Sequence, residues 1–175
     1  MNTRPTIKQR MTQILAVLLL CTSAGSCSSV KQDDSATTKR TDCTLPKQLL
    51  LRWGAWNDSL GVLKGYELDA DMRLWKYTAY TNRNTYSRDS IGTVAKPSVC
   101  YFADTTRKAF LYVQTLFVKG PVSHFVEYNN PERDVALRAV WDARYQTFGS
   151  KEFRAIFDSL NTAYNVRTPV FTDTN

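Results

Sequence analysis

The 175-residue chain has a single histidine, His124. That excludes a zinc site built on paired histidines. Ser123 and Glu127 beside it lack the spacing of a catalytic set, so a surface or hydrogen-bonded strand histidine is the ordinary reading. Glycine is also scarce: seven residues, with no glycine-rich loop to cradle a phosphate. Only four glutamates occur, Glu67, Glu127, Glu132 and Glu152. No Lys/Arg run is longer than two, so the concentrated basic footprint of a nucleic-acid binder is missing. No internal repeat, metal motif or cofactor motif is found, and neither a metal nor a cofactor is expected.

What is present suits a folded domain. The chain is 43% hydrophobic and 22% charged, with four Trp, nine Tyr and eight Phe, enough apolar area for a core. The formal net charge is +7. Three of those charges, Arg4, Lys8 and Arg10, precede Cys27, where there is no acid. Beyond that point twenty Lys and Arg stand against sixteen Asp and Glu, a mild and scattered excess.

The amino-terminal segment is ordered by charge and hydropathy. The basic residues are followed by an apolar stretch from Met11 to Cys21, centred on Ile14 to Leu20. Small residues Thr22-Ser23-Ala24-Gly25-Ser26 then lead to Cys27. A spanning helix needs about 20 apolar residues, and this stretch stops sooner. The segment resembles the signal peptide and lipobox of bacterial lipoproteins, with Ser26 as the small residue before the cut. Ala24 stands where that family usually has Leu. Cys21 is the rival acceptor, but Leu20 before it is too bulky for the cleavage pocket. The resemblance implies removal of 1–26 and lipidation of Cys27. Several acyl chains, at about 0.8 kcal/mol per buried methylene, hold a protein at a membrane firmly. An ordinary secretory signal cut after Ser26 is the alternative, and it would release the protein in soluble form.

Residues 27–44 read as a polar, flexible tether. Ser28 lacks the Asp that retains many lipoproteins at the inner membrane, which points to an outer membrane. Lys31-Gln32-Asp33-Asp34 resembles the acidic export signal of Bacteroidota lipoproteins, displaced later than usual; a solvated spacer explains it as well. Five Asp-Ser/Thr triplets, at Ser35, Ser59, Ser90, Thr105 and Ser159, resemble the O-glycosylation site of exported proteins of that group. Ser35, in the tether, is the foremost candidate. Helix caps and turns account for several of the others.

Residues 45–169 read as one α+β domain, with 170–175 as a tail. The apolar run from Gln48 to Trp53 ends at turn-like Gly54. Leu63 to Leu68 and Met72 to Thr81 read as strands around an Asp69-Ala70-Asp71 turn, and a short strand is expected over Ser90 to Val94. Lys96-Pro97-Ser98 opens a helix whose apolar spacing runs from Phe102 to Phe117, with Gly120-Pro121 as the stop. Val122 to Tyr128 and Val135 to Trp141 form a second hairpin around Asn129-Asn130-Pro131. A last helix from about Ser150 carries Phe153, Ile156, Phe157, Leu160 and Tyr164 in one stripe. The expected architecture is an antiparallel sheet of five or six strands with two helices on one face.

Three features bear on function. Cys43 and Cys100 are the two cysteines left beyond the anchor, without metal-type spacing. An exported protein permits a disulfide between them, worth about 3–4 kcal/mol in the chain-entropy model; two free buried thiols are the alternative. Glu67 and Asp69 share a strand face near Asp71, a pairing that glycoside hydrolysis or calcium uses with further ligands. A solvated strand face is the ordinary explanation. Trp53, Trp56, Trp75, Tyr77, Tyr80 and Tyr86 crowd the first hairpin region. Most are expected in the core under the helices, with Trp56 and Tyr86 the ones to reach solvent and form a binding surface. The expectation is therefore a membrane-anchored, non-enzymatic binding or accessory module of the cell envelope, meeting a protein or glycan but no nucleic acid. A small hydrolase using carboxylates, or a protease inhibitor, are the alternatives.

Overall fold

The computed structural model describes residues 43–171. Cys27, Ser35, the expected signal peptide, all of the tether but its last two residues, and the last four residues lie outside them.

Six antiparallel strands form one sheet: β1 (Leu50–Asn57), β2 (Val62–Asp69), β3 (Arg73–Tyr80), β4 (Thr85–Thr93), β5 (Val122–Asn130) and β6 (Val135–Asp142). Their spatial order is β4-β3-β2-β1-β5-β6. Helix α1 (Lys96–Tyr112) lies between β4 and β5 in the chain, and α2 (Lys151–Ala163) follows β6. The fold is α+β, as the alternation of strand and helix patterns predicts, with both helices on one face.

Strand periodicity decides which side chains meet the helices. Leu51 and Trp53 of β1, Tyr66 and Leu68 of β2, Val126 and Tyr128 of β5, and Ala139 and Trp141 of β6 point the same way. They join Val99, Phe102, Ala109 and Phe110 of α1 and Phe153, Ile156, Phe157 and Leu160 of α2 in one core. Trp53 is fully buried there and satisfies its indole N–H by donating to Asn161 Oδ1 at 3.0 Å. Burying a side chain such as Phe153 contributes about 1.5–3 kcal/mol, so this layer dominates stability. Cys43 and Cys100 are joined by a disulfide that ties the segment before β1 to the first turns of α1.

Four elements differ from expectation. Strand β1 runs straight through Gly54, because Gly54 faces Gly65 of β2 instead of turning. Strand β4 is longer than Ser90 to Val94; it is an edge strand with every residue exposed, so no apolar alternation marks it. Strand β5 continues through Asn130, and the turn is Pro131–Arg133 followed by Asp134 in the left-handed region. Helix α1 stops at Tyr112, well before Gly120. The chain there leaves the helix so that Val118 N donates to Val140 O at 2.9 Å and Val140 N to Leu116 O at 2.8 Å. The outer edge of β6 thereby gains backbone partners that a longer helix could not supply.

Candidate functional site

The face of the sheet turned away from the helices is built in rows, because directly paired residues in adjacent strands point the same way. The central row reads Arg138 (β6), Glu127 (β5), Arg52 (β1), Glu67 (β2), Trp75 (β3). Charges alternate in sign along its first four positions. Arg138 Nε donates to Glu127 Oε2 at 2.6 Å, and Arg52 Nε to Glu67 Oε2 at 2.6 Å. Arg52 also reaches Glu127 at 3.4 Å. From β4, Arg88 donates to Glu67 Oε1 at 2.7 Å and the Tyr86 hydroxyl to Oε2 at 2.9 Å. Glu67 is wholly buried on a face that no helix covers, which corrects the solvated-strand reading.

The next row explains how that burial arises. It reads Val140, Phe125, Gly54, Gly65, Tyr77, Arg88. Two facing glycines leave a gap between the large rings of Phe125 and Tyr77. A Cβ on Gly54 would lie 2.2 Å from Lys64 O, and one on Gly65 would lie 2.2 Å from Trp53 O. Only glycine lets the two backbones approach so closely. Phe125, Tyr77, Leu63 and Val140 are buried together here as a second, smaller core. The guanidinium of Arg52 lies over Tyr77 and that of Arg138 over Phe125, so the same cations that meet the carboxylates also cover the rings of the apolar row.

Electrostatics follow from this packing. Burial works against the Arg52 charge, but Glu67 and Glu127 together outweigh it and raise the guanidinium above its ordinary range. Burial, reinforced by Glu127, pushes the Tyr77 phenol up, and burial plus its bond to Glu67 pushes Tyr86 up. Both phenols are thus kept neutral.

Trp56 and Tyr86 fall in one further row, Ser123, Trp56, Leu63, Ala79, Tyr86. Three strand spacings separate them, or about 14 Å. Tyr86 is half exposed. Trp56 is only partly so, which corrects the expectation of an open ring: Phe117 packs edge-on at 6.0 Å and Lys119 sits 4.0 Å over its face. Trp75, expected under the helices, instead lies on this open face beneath Arg88, 4.2 Å from its ring centroid. Of the crowded aromatics, Trp53 alone packs fully into the helix-side core.

The other sequence candidates disperse. Asp69 does not join Glu67 in a pair; it accepts from Asp71 N, Arg73 N and Trp75 Nε1, closing the β2–β3 turn. His124 lies on the helix side, stacked on Phe157 at 4.7 Å. Burial and then Arg154 lower its pKa below the ordinary value. Among the described residues no group of three His, Cys, Asp or Glu is placed to hold a metal ion, and no helix is long and apolar enough to cross a membrane. Sequence reasoning missed Arg52, Arg88 and Arg138; their signal was the matched spacing of Arg and Glu on paired strands, which needs the register to be read. No protein-family model matches this chain, and no curated protein is similar to it.

Proposed function

We propose that this chain is a lipid-anchored binding module of a bacterial cell envelope. It is held at a membrane, the outer one where the host has two, through acyl chains on Cys27. It meets an envelope protein or glycan through the helix-free face around Arg52, Arg88, Arg138 and Tyr86. The ordered run of basic residues, apolar stretch and small residues before Cys27 supports the anchor. The Cys43–Cys100 disulfide suits an exported protein.

One observation carries binding over hydrolysis. Glu67 and Glu127 are each engaged by guanidinium groups, and Glu67 additionally by a tyrosine hydroxyl. A general acid or nucleophile must instead have a free oxygen facing its substrate. Two hollows on the surface, of about 670 Å³ and 320 Å³, are lined by neither of these glutamates nor by Asp69. Partly exposed arginines and a half-exposed tyrosine above a buried, ion-paired layer are the composition that recognition surfaces favour.

Intact-mass analysis of the membrane-extracted protein beside a Cys27→Ala variant tests the anchor. The expected mass corresponds to cleavage before Cys27 plus acyl chains, with membrane association lost in the variant. An unacylated, soluble wild-type protein cut at the same place would refute the reading.

A further inference from the structure

Large apolar side chains stand exposed together where α1 ends, at the far end of that helix from the disulfide. Helix α2 begins beside it: Phe110 and Phe153 pack with ring centroids 4.7 Å apart, and Tyr112 shares a hollow with Glu152. The chain leaving α1 approaches the turn before α2, since a Cβ on Gly149 would lie 3.8 Å from Val113 and 3.7 Å from Leu116. Further along that connection Lys119 pairs with Asp58, in the β1–β2 turn, at 2.9 Å. The end of α1, the connection to β5 and the turn before α2 thus converge. They carry Leu111, Tyr112, Phe117, Val118, Tyr145 and Phe148, all exposed. Phe148 is 100% exposed, Tyr112 81% and Leu111 66%.

The turn that carries Phe148 is tied down. Thr147 N donates to Ser150 Oγ at 3.0 Å and Ser150 N to Thr147 O at 3.1 Å, while Arg154 donates to the carbonyls of Asp142 and Tyr145. An already ordered backbone therefore holds the ring out in water, and covering it loses little further conformational freedom. Apolar side chains gathered in this way at a surface mark a place of contact.

We infer that this end of the domain rests on a lipid bilayer, the one that holds Cys27; the inference depends on the anchor proposed above. Reach permits it. Cys43 is bonded to Cys100, and Tyr112 lies twelve residues further along α1, about 18 Å away. The sixteen residues from Ser28 to Cys43 span at most about 55 Å when extended. Shape favours a bilayer over a protein. Of the six residues only Tyr112 lines either hollow, so the others project. A protein needs a matching recess for each projection, whereas lipid closes around them. Composition agrees: Leu111 and Phe148 enter the acyl boundary, with Tyr112, Tyr145 and Lys151 at headgroup depth. Lys108, Lys119 and Arg144 already have acid partners, so the contact is apolar and survives high salt.

The test uses the mature acylated chain carrying Phe148→Cys, labelled there with an environment-sensitive fluorophore. Cys43 and Cys100 are bonded to each other and Cys27 carries lipid, so the label has one site. The chain is reconstituted in phosphatidylethanolamine–phosphatidylglycerol vesicles, with and without lipid bearing a nitroxide high in its acyl chain. Blue-shifted emission and about two-fold quenching by the nitroxide lipid are expected, at low and high salt alike. Thr93→Cys, at the opposite end of the strands, is expected to show neither when labelled likewise. Adding Leu111→Ser and Tyr112→Ser to the Phe148→Cys chain is expected to reduce the quenching by about half or more. An acylated chain that pellets with the vesicles while its label at position 148 reads as in water overturns the inference and leaves the anchor standing. A blue shift without nitroxide quenching means that a second copy or another protein covers the ring, and overturns it too. Quenching undiminished by the added substitutions does the same. An unacylated wild-type chain removes the anchor, and the inference with it.

Discussion

Arg52 Nε lies 2.6 Å from Glu67 Oε2, an ion pair on the one sheet face without a helix, with Glu67 wholly buried. Truncating the buried partner strands the charge it neutralises. Glu67→Ala is therefore expected to cost about 3–5 kcal/mol in chemical denaturation. Arg88→Ala removes a partner that is 41% exposed and is expected to cost no more than about 1 kcal/mol. Equal losses in the two variants would show that burial does not set the cost of removing each partner, as the geometry requires.

The facing glycines make a steric prediction. Gly54→Ala puts a methyl 2.2 Å from Lys64 O and 2.6 Å from Gly65 Cα, both backbone atoms that cannot step aside. Destabilisation of about 3 kcal/mol or more is expected. Gly149→Ala is the control, because its methyl would meet only side-chain carbons at 3.7 and 3.8 Å. Its melting temperature should stay close to that of the wild type.

The disulfide spans 57 residues of sequence. In the chain-entropy model closing such a loop is worth about 4 kcal/mol. Cys43→Ser/Cys100→Ser is expected to lose about that much in urea denaturation, and reductant should destabilise the wild type but leave the double variant unchanged.

His124 sets an acid-side dependence. Its folded pKa is depressed, first by burial against Phe157 and Trp141 and then by Arg154, with Asp158 opposing. Above the ordinary value of 6.5 the ring is neutral in both states. As pH falls, the unfolded chain takes up the proton first, so stability present at pH 7.5 declines towards pH 5.5. His124→Phe should flatten the profile in that window. Asp142 and Asp104, whose depressed values follow from bonds to Arg144 and to Lys108 and Arg107, act only further into acid.

How much was legible in the sequence depends on whether a residue's partners are near in the chain. The stripe on α2, the apolar face of α1 and the alternation of β3, β5 and β6 are periodic signals, and each produced an element of the expected type in the expected region. Element ends were read less well. Leu116 and Phe117 keep helical spacing with the residues before them, yet they lie beyond α1 because β6 offers backbone partners. Gly54 looks like a turn until Gly65 is placed opposite it.

The sequence by itself determined the fold class, the apolar stripes of the two helices and the ordered features before Cys27, since each rests on local pattern. Only the tertiary structure decided that Arg138, Glu127, Arg52 and Glu67 stand in one row, and that Trp75 and Tyr77 face away from the helices. The physical reason is register. A shift of one residue in any strand pairing would send these side chains to the opposite face, and pairing between distant strands is set by the packing of the whole sheet.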